Sequence, residues 1–333
     1  MTDLVIREAT RADNDALIDL ERRSPLLLGE TTLIFDRSPN FFARDELMEH
    51  SRMLVAEKDG CPAGVMSAAW YDTLVGGKPV RVVYVHHGRV AIEHQRSGVA
   101  PALAVALFER LLTKADLFYW YVVPENKVSL GLILRAAPDR WARDPACQHF
   151  LLEPQPGGPK VGLTPARPEQ ATELCALINR THGGRDLFLP YTEESLAARL
   201  SRSADYGWPQ LFARERGGRA VAMAGLWDLG ATLKLIRTDR EGKETTTRPS
   251  VILDYGFEED AEREMARLLD DIGKLAAAQG RQELWMAIDR ESRLYDVMSG
   301  RPHSVTSVWG LNIIPGAPLP GRTATPYLDL VYW

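Results

Sequence analysis

Two stretches of this chain repeat each other at one fixed separation. Ile6-Arg-Glu-Ala9, running on through Leu17 and Leu20, returns as Leu163-Thr-Pro-Ala166 through Leu174 and Leu177. Leu54-Val-Ala56, with Gly60 and Met66 behind it, returns as Leu211-Phe-Ala213 with Gly217 and Met223. Positions 17 and 174 are 157 residues apart, and so are 54 and 211. One insertion between the stretches would break that register, so the chain reads as a duplication of a single unit. Its 333 residues suit two domains of about 160 better than one core. Between the copies, Glu153-Pro-Gln-Pro-Gly-Gly-Pro159 sustains neither a helix nor a central strand. The expected division is residues 1–152, a linker at 153–160, and 161–333.

Each copy shows the same coarse order. A short strand (4–7; 162–164) leads into an amphipathic helix (13–21; 168–179) and then a more irregular, partly helical stretch. A hairpin follows: 53–57 with 63–71, turning at Asp59-Gly60, and 211–215 with 220–226, turning at Gly217-Gly218. A further strand (81–90; 251–256), a long helix (98–113; 258–279) and an apolar strand (117–123; 284–288) come next. Another helix and closing strands complete each copy, with 327–333 read as the last strand. The expected fold class is α/β: two tandem units, each a mixed sheet with flanking helices.

In the first copy, Gln95-Arg-Ser-Gly-Val-Ala100 stands between a β-branched run, Val80-Arg-Val-Val-Tyr-Val85, and a helical face of Val99, Leu103, Leu107 and Leu111. A strand, a glycine turn and a helix N-terminus can cradle a phosphate. Gly98 lets the backbone approach closely, and the first N–H groups of the helix lack intrahelical partners. Arg96 adds a fixed positive charge, while Pro101 has no N–H to leave unpaired. A glycine turn that enters a helix and binds nothing stays open on local physics.

Composition narrows the classes of partner. A net charge of −5 gives no general attraction to nucleic acid or an anionic membrane. Cys61, Cys147 and Cys175 are scattered and form neither a disulfide framework nor a CxxC metal pair, as in a reducing compartment. No apolar run reaches about 18 residues, and a cytoplasmic location is the expectation.

Gln95, Gly98 and Ala100 fill the three specified places of the acyl-CoA signature of the GNAT (Gcn5-related) N-acetyltransferases, Gln/Arg-x-x-Gly-x-Gly/Ala. The element order above is also that family's order, so the chain resembles two tandem GNAT domains over essentially its whole length. The resemblance implies acetyl-CoA or another acyl-CoA as co-substrate, no metal, and direct acyl transfer to a primary amine on a small molecule or peptide. It implies cofactor contacts at Val90, Ile92, Gln95, Arg96, Ser97, Gly98, Val99, Ala100, Asn126 and Ser129. In the family the strand before the loop splays from its neighbour, which maps to 84–92 parting from 117–123. Val90, five residues before Gln95, then turns its backbone N–H to the thioester carbonyl and stabilises the oxyanion by about 3 kcal/mol. Asn126 and Ser129 match Asn-x-x-Ala/Ser, whose asparagine bonds the pantetheine arm; a helix N-cap explains Asn126 as well. The family's general-acid tyrosine position falls on Ile133, which has no proton to give.

An attacking ammonium must first lose a proton, and histidine has the side-chain pKa nearest neutrality. His86 and His87 lie on the lining strand just before Val90, so one of them is the candidate general base. Strand alternation allows only one to face the slot. One packed and one solvated histidine is the plainer alternative. Glu30, Glu57 and Asp72 could act through water, though nothing singles them out.

The second copy departs from the motif. Its loop position reads Tyr255-Gly-Phe-Glu-Glu-Asp-Ala-Glu262, whose acids repel a pyrophosphate. Asp289 replaces the asparagine, and Tyr295 falls one place short of the tyrosine position. The expected chain therefore binds cofactor in its first half, with the second supporting or recognising the acceptor. A non-catalytic acyl-CoA sensor is the alternative function, and an acyltransferase with its base at the domain interface is a third.

Overall fold

The structure, a computed structural model, describes residues 4–122, 126–136, 143–154, 163–288, 292–300, 303–312 and 326–332. The linker centred on Pro156 and the Asp289 position lie outside them. The first copy supplies β1 (Val5–Glu8), α1 (Asn14–Arg22), β2 (Leu26–Leu28), β3 (Thr31–Asp36), β4 (Ser51–Lys58), β5 (Cys61–Val75) and β6 (Lys78–Val90). It continues through α2 (Val99–Leu111), β7 (Leu117–Val122), α3 (Lys127–Ala136) and β8 (Arg143–Leu152). The second supplies β9 (Thr164–Pro165), α4 (Ala171–His182), α5 (Glu193–Leu200), β10 (Leu211–Arg216), β11 (Arg219–Trp227), β12 (Lys234–Thr238) and β13 (Glu244–Thr247). Then come β14 (Pro249–Phe257), α6 (Glu262–Ala278), β15 (Glu283–Ile288), α7 (Arg293–Ser299) and β16 (His303–Asn312).

Twelve strands form one sheet in the order β1-β4-β5-β6-β7-β16-β8-β15-β14-β11-β10-β9. Its middle is an exchange. β16, from the second copy, pairs antiparallel with β7, Gly310 opposite Tyr121. β8, from the first, pairs antiparallel with β15, Phe150 opposite Met286. Among the described strands only β6–β7 and β14–β15 run parallel, and each pair holds for three residues before its strands part.

Apolar periodicity sets the layers. Val99, Leu103, Leu107 and Leu111 of α2 bury one stripe against Leu54, Ala68, Val83, Val85 and Phe118 on one face of the first half-sheet. Alternation along β6 and β7 sends Val82, Tyr84, Leu117 and Tyr119 to the opposite face. There they meet Leu187, Trp227, Trp285 and Leu330 of the second half, so one core is shared by both copies.

Two stretches depart from expectation. The irregular stretch after α1 contains the β2–β3 hairpin, whose β3 pairs with β12 in a second sheet ordered β13-β12-β3-β2. Of the expected strand 327–333, residues 327–332 do not form a strand, and Leu330–Tyr332 is a single 3-10 turn. Asp329 causes this, accepting from the Val331 N–H at 3.0 Å as a cap and pairing with Arg199 at 2.8 Å.

Candidate active site

The site begins where β6 leaves β7. Their pairing ends at Tyr84 opposite Tyr119, so the β7-side edge of β6 is unpaired beyond that point among the described residues. On the other edge β5 pairs Val65 with Arg89, then Ser67 with His86, leaving Met66 opposite both His87 and Gly88. This is a β-bulge, and its first residue, His87, has φ of 51°. Histidine tolerates the left-handed region better than most residues, but a bulky side chain held there is uncommon. Beyond the bulge, the Ala91 N–H reaches the Ala63 carbonyl at 2.9 Å. Backbone N–H groups alternate along a strand, so that of Val90 faces the open edge.

The bulge corrects the expected alternation. His86 and His87 do not take opposite faces; their rings lie 4.7 Å apart and converge on Asp45, in a short turn before β4. His86 Nε2 is 3.8 Å from one Asp45 oxygen and His87 Nδ1 is 3.5 Å from the other. The His86 ring stacks on Tyr84 at 5.1 Å, and that of His87 lies 5.7 Å from Phe41. Both carboxyl oxygens and all four ring nitrogens are buried without a hydrogen-bond partner among the described residues. Six adjoining orphaned atoms are exceptional, because buried polar groups are almost always paired.

Electrostatics assigns their protonation. Burial raises the Asp45 carboxyl to about 7, with Arg44 and Arg37 opposing. Burial, with Arg44 and Arg37 nearby, pushes His86 well below its ordinary value. His87 falls likewise through burial, Arg37, His86, Arg44 and Arg89. At neutral pH two uncharged imidazoles therefore face a carboxyl near its midpoint, and the short contacts are not ion pairs. Sequence reasoning missed Asp45: it sits in an aperiodic stretch, and only the fold brings it to β6. Glu57 is instead tied to Arg7, Asp72 to Arg81, and Glu30 is exposed.

Asp45, His86 and His87 offer ligand atoms within 4.8 Å of one another, a donor set that divalent ions use. The surrounding charge opposes this. Arg37 and Arg89 both approach Glu21, and Arg44 makes no ion pair among the described residues. Three guanidiniums thus stand around two carboxylates, and a divalent cation would add to the excess.

The loop from Gln95 to Gly98 is exposed and leads into α2, with Arg96 at φ 62° and Gly98 at φ 88°. At Gly98 any side chain would strain the backbone, although nothing lies within 4 Å of where its Cβ would point. The loop braces itself through Ser97 Oγ, which donates to the His94 carbonyl at 2.6 Å. Val99 and Ala100 begin the helix, where N–H groups point outward. Ile92 is exposed in the preceding 3-10 turn. Asn126 Oδ1 caps α3, accepting from the Ser129 N–H at 3.1 Å. The N-cap account of Asn126 is thus realised for its oxygen.

The second copy builds the same frame differently. β11 pairs Met223 with Gly256, then Gly225 with Leu253, leaving Asp254 and Tyr255 opposite Ala224. Asp254 has φ of 47°. Its carboxylate is saturated: Tyr191 and Tyr206 hydroxyls donate at 2.7 Å and Arg199 Nε at 2.8 Å. Helix α4 lies against the strand so closely that a Cβ on Gly256 would fall 2.6 Å from the Leu177 carbonyl carbon. Of the acids before α6, Glu258 pairs with Arg180 and Asp260 with Arg216.

Each half of the large sheet thus carries a splay and a bulge on the strand that splays. Residues 15–137 match the model of the Acetyltransferase (GNAT) family. No curated protein matches the sequence. Among solved structures, N-myristoyltransferase of Saccharomyces cerevisiae with bound myristoyl-CoA superposes with a TM-score of 0.67 at 12% identity, over 98% of this chain and 90% of its own. The glucosamine N-acetyltransferase region of a fungal multi-domain GH3 β-N-acetylglucosaminidase gives 0.59 at 13%, over 93% of this chain and 38% of that one. Residues 15–137 thus form a domain of the Acetyltransferase (GNAT) family, and the chain folds as two tandem GNAT-like units. Among the described residues, no helix is long and apolar enough to cross a membrane.

Proposed function

We propose that the chain is an N-acetyltransferase that moves the acetyl group of acetyl-CoA to a primary amine by direct attack, with the cofactor in the unit formed by residues 1–152. The observation that carries this reading is the unpartnered Asp45–His86–His87 cluster at the open edge of β6. The second-copy strand in the same frame has its acid fully paired.

In this reading the Gln95–Ala100 loop and the N-terminus of α2 hold the pyrophosphate. The Asn126 amide, which has no partner among the described residues, and the Ser129 region meet the pantetheine arm. The thioester carbonyl lies on the Val90 N–H. Asp45 accepts the proton of the incoming ammonium, directly or through one water, with the two imidazoles orienting it. Nitrogen bonds the acyl carbon, the oxyanion forms on Val90, and the C–S bond breaks. Asp45 then returns its proton to the CoA thiolate, the task for which position 133 has no proton, and the nitrogen gives up its second proton to solvent as the neutral amide forms. The unit formed by residues 161–333 walls the acceptor side.

The test is thiol release from acetyl-CoA against a panel of primary amines, with cofactor binding measured separately. Wild type should turn over at least one amine, and Gly98→Glu should lose binding and turnover together. Acetyl-CoA binding without turnover of any amine would leave the sensor function instead.

A further inference from the structure

Arg44 is a buried cation with no ion pair among the described residues. Its Nε donates to the Val331 carbonyl at 2.7 Å, the Tyr84 hydroxyl is a neighbour, and Nη2 is buried with no partner among the described residues. Of the neighbouring acids, Glu21 is engaged with Arg37 and Arg89 and Glu46 with Arg11, while Asp45 acts on Arg44 through space without forming an ion pair with it. A buried, unpaired guanidinium is strongly unfavourable unless something completes it. Arg44 lines a cavity of about 50 Å³ between the halves, walled by Phe35, Arg37, Phe41, Trp227 and Trp285. At roughly 10–15 Å³ per water-sized group, that holds three or four heavy atoms, the size of a carboxylate with its α-carbon.

We infer that the acceptor is an α-amino acid or a similarly short amino-carboxylate, its carboxylate held by Arg44 and its amine directed to Asp45. Arg44 lines the cavity as a cation for the acid, and Asp45, outside its lining but within electrostatic reach of Arg44, is an acid for the amine, which together complement a zwitterion. A guanidinium suits this because its fork matches both carboxylate oxygens. One added anion balances the three guanidiniums that surround Glu21 and Asp45, whereas a metal ion would worsen the excess. The apolar walls exclude water from the pair. The inference rests on the acyl-transfer reading for the fate of the amine, though not for the seating of the acid.

The experiment compares glycine with methylamine, alanine with ethylamine, and phenylalanine with phenethylamine, using acetyl-CoA and thiol release. In wild type at least one amino acid should exceed its amine in kcat/KM by about thirtyfold or more. In Arg44→Met that ratio should fall to within about threefold, and Arg44→Lys should recover part of it. Melting gives the second readout: about 10 mM of that amino acid should raise the wild-type midpoint, and should not raise that of Arg44→Met. Equal kcat/KM within every pair, with no melting shift, overturns the inference and leaves acyl transfer standing. A melting shift without turnover of any amine keeps the carboxylate site and overturns acyl transfer. If Arg44→Met does not fold, the wild-type ratio and shift decide.

Discussion

His87 and Asp254 occupy the same place in the two copies: each opens the bulge on the strand that splays, with φ of 51° and 47°. Their surroundings are opposite. Asp254 is closed by two tyrosines and an arginine, while neither His87 nitrogen has a hydrogen-bond partner among the described residues. A left-handed backbone at a large residue is unfavourable by about 1–3 kcal/mol and persists only where the surroundings impose it. In the second copy the buried ion pair and its hydrogen bonds impose it. In the first, the same distortion holds two imidazoles beside a carboxyl, and no hydrogen bond repays it. One copy has turned the bulge into an anchor, and the other holds it without such bonds among the described residues.

The anchor predicts a purely structural phenotype. Asp254→Ala leaves Arg199 buried with Asp329 alone and two tyrosine hydroxyls unpaired, a loss on the order of 3–5 kcal/mol. The thermal midpoint should fall by about 10 °C. Acetyl-CoA affinity of the folded fraction should stay within about twofold of wild type. A tenfold loss of affinity without a change in melting would place Asp254 in a ligand site and defeat the assignment.

Asp45 predicts the reverse pattern. Asp45→Asn should lower kcat by about 100-fold while leaving acetyl-CoA binding intact, since general-base catalysis contributes that order. Wild-type kcat/KM should rise with pH through about 7, the value to which burial raises this carboxyl. The stability sign follows from the same shift. A folded pKa above the unfolded value near 4 means that Asp45 favours folding most at low pH, and that this contribution is lost as pH rises through about 7. The melting midpoint of Asp45→Asn should therefore gain on wild type between pH 5 and 8, by about 5 °C. A pH-independent difference would show that the carboxyl is ionised throughout.

At His87 the backbone and the imidazole can be separated. His87→Gly keeps the left-handed bulge without strain, so it should hold stability within about 1 kcal/mol while turnover falls. His87→Val places a β-branched side chain at φ 51° and should lose stability and turnover together. Urea unfolding of the two variants checks this. Equal destabilisation by both would mean that the imidazole packing with Phe41, rather than the backbone, holds the bulge.

Much of the fold was legible because local rules speak for it. The four-residue rhythm of Val99 to Leu111 and the Asp59-Gly60 turn survive in the structure, and the 157-residue register holds at the start of the first helix, Asn14 to Ala171, but slips to 158 at the hairpin, where Lys58 opposite Cys61 corresponds to Arg216 opposite Arg219. The register also shows its limit. His87 and Asp254 lie 167 positions apart, not 157, because the β12–β13 hairpin is inserted between β11 and β14. Matching by offset cannot find the pair; matching by bulge does. The histidines were visible as a doublet, but strand alternation misassigned them because a bulge adds a residue that no local pattern announces. Asp45 and Arg44 carry no periodic signal, and long-range packing alone brings them to β6. Strand exchange was invisible as well, since β8 and β16 read equally well in either half.

That exchange bears on whether the repeats are independent bodies. β8 belongs to residues 1–152 by sequence, yet its hydrogen-bonded neighbours are β15 and β16, both from the second copy. Cut off from 161–333, the first copy would leave β8 with no partner strand and expose the face of Tyr84, Tyr119 and Leu117 that packs on Trp227, Trp285 and Leu330. An unpaired apolar edge and a bare core face favour aggregation. Residues 1–152 expressed alone should thus aggregate or lack a cooperative melt, and co-expression with 161–333 should recover a 1:1 complex that binds acetyl-CoA. A monomeric 1–152 melting cooperatively near the full-chain midpoint would sink this prediction, because it would mean that β8 can fold back beside β7 when β16 is absent.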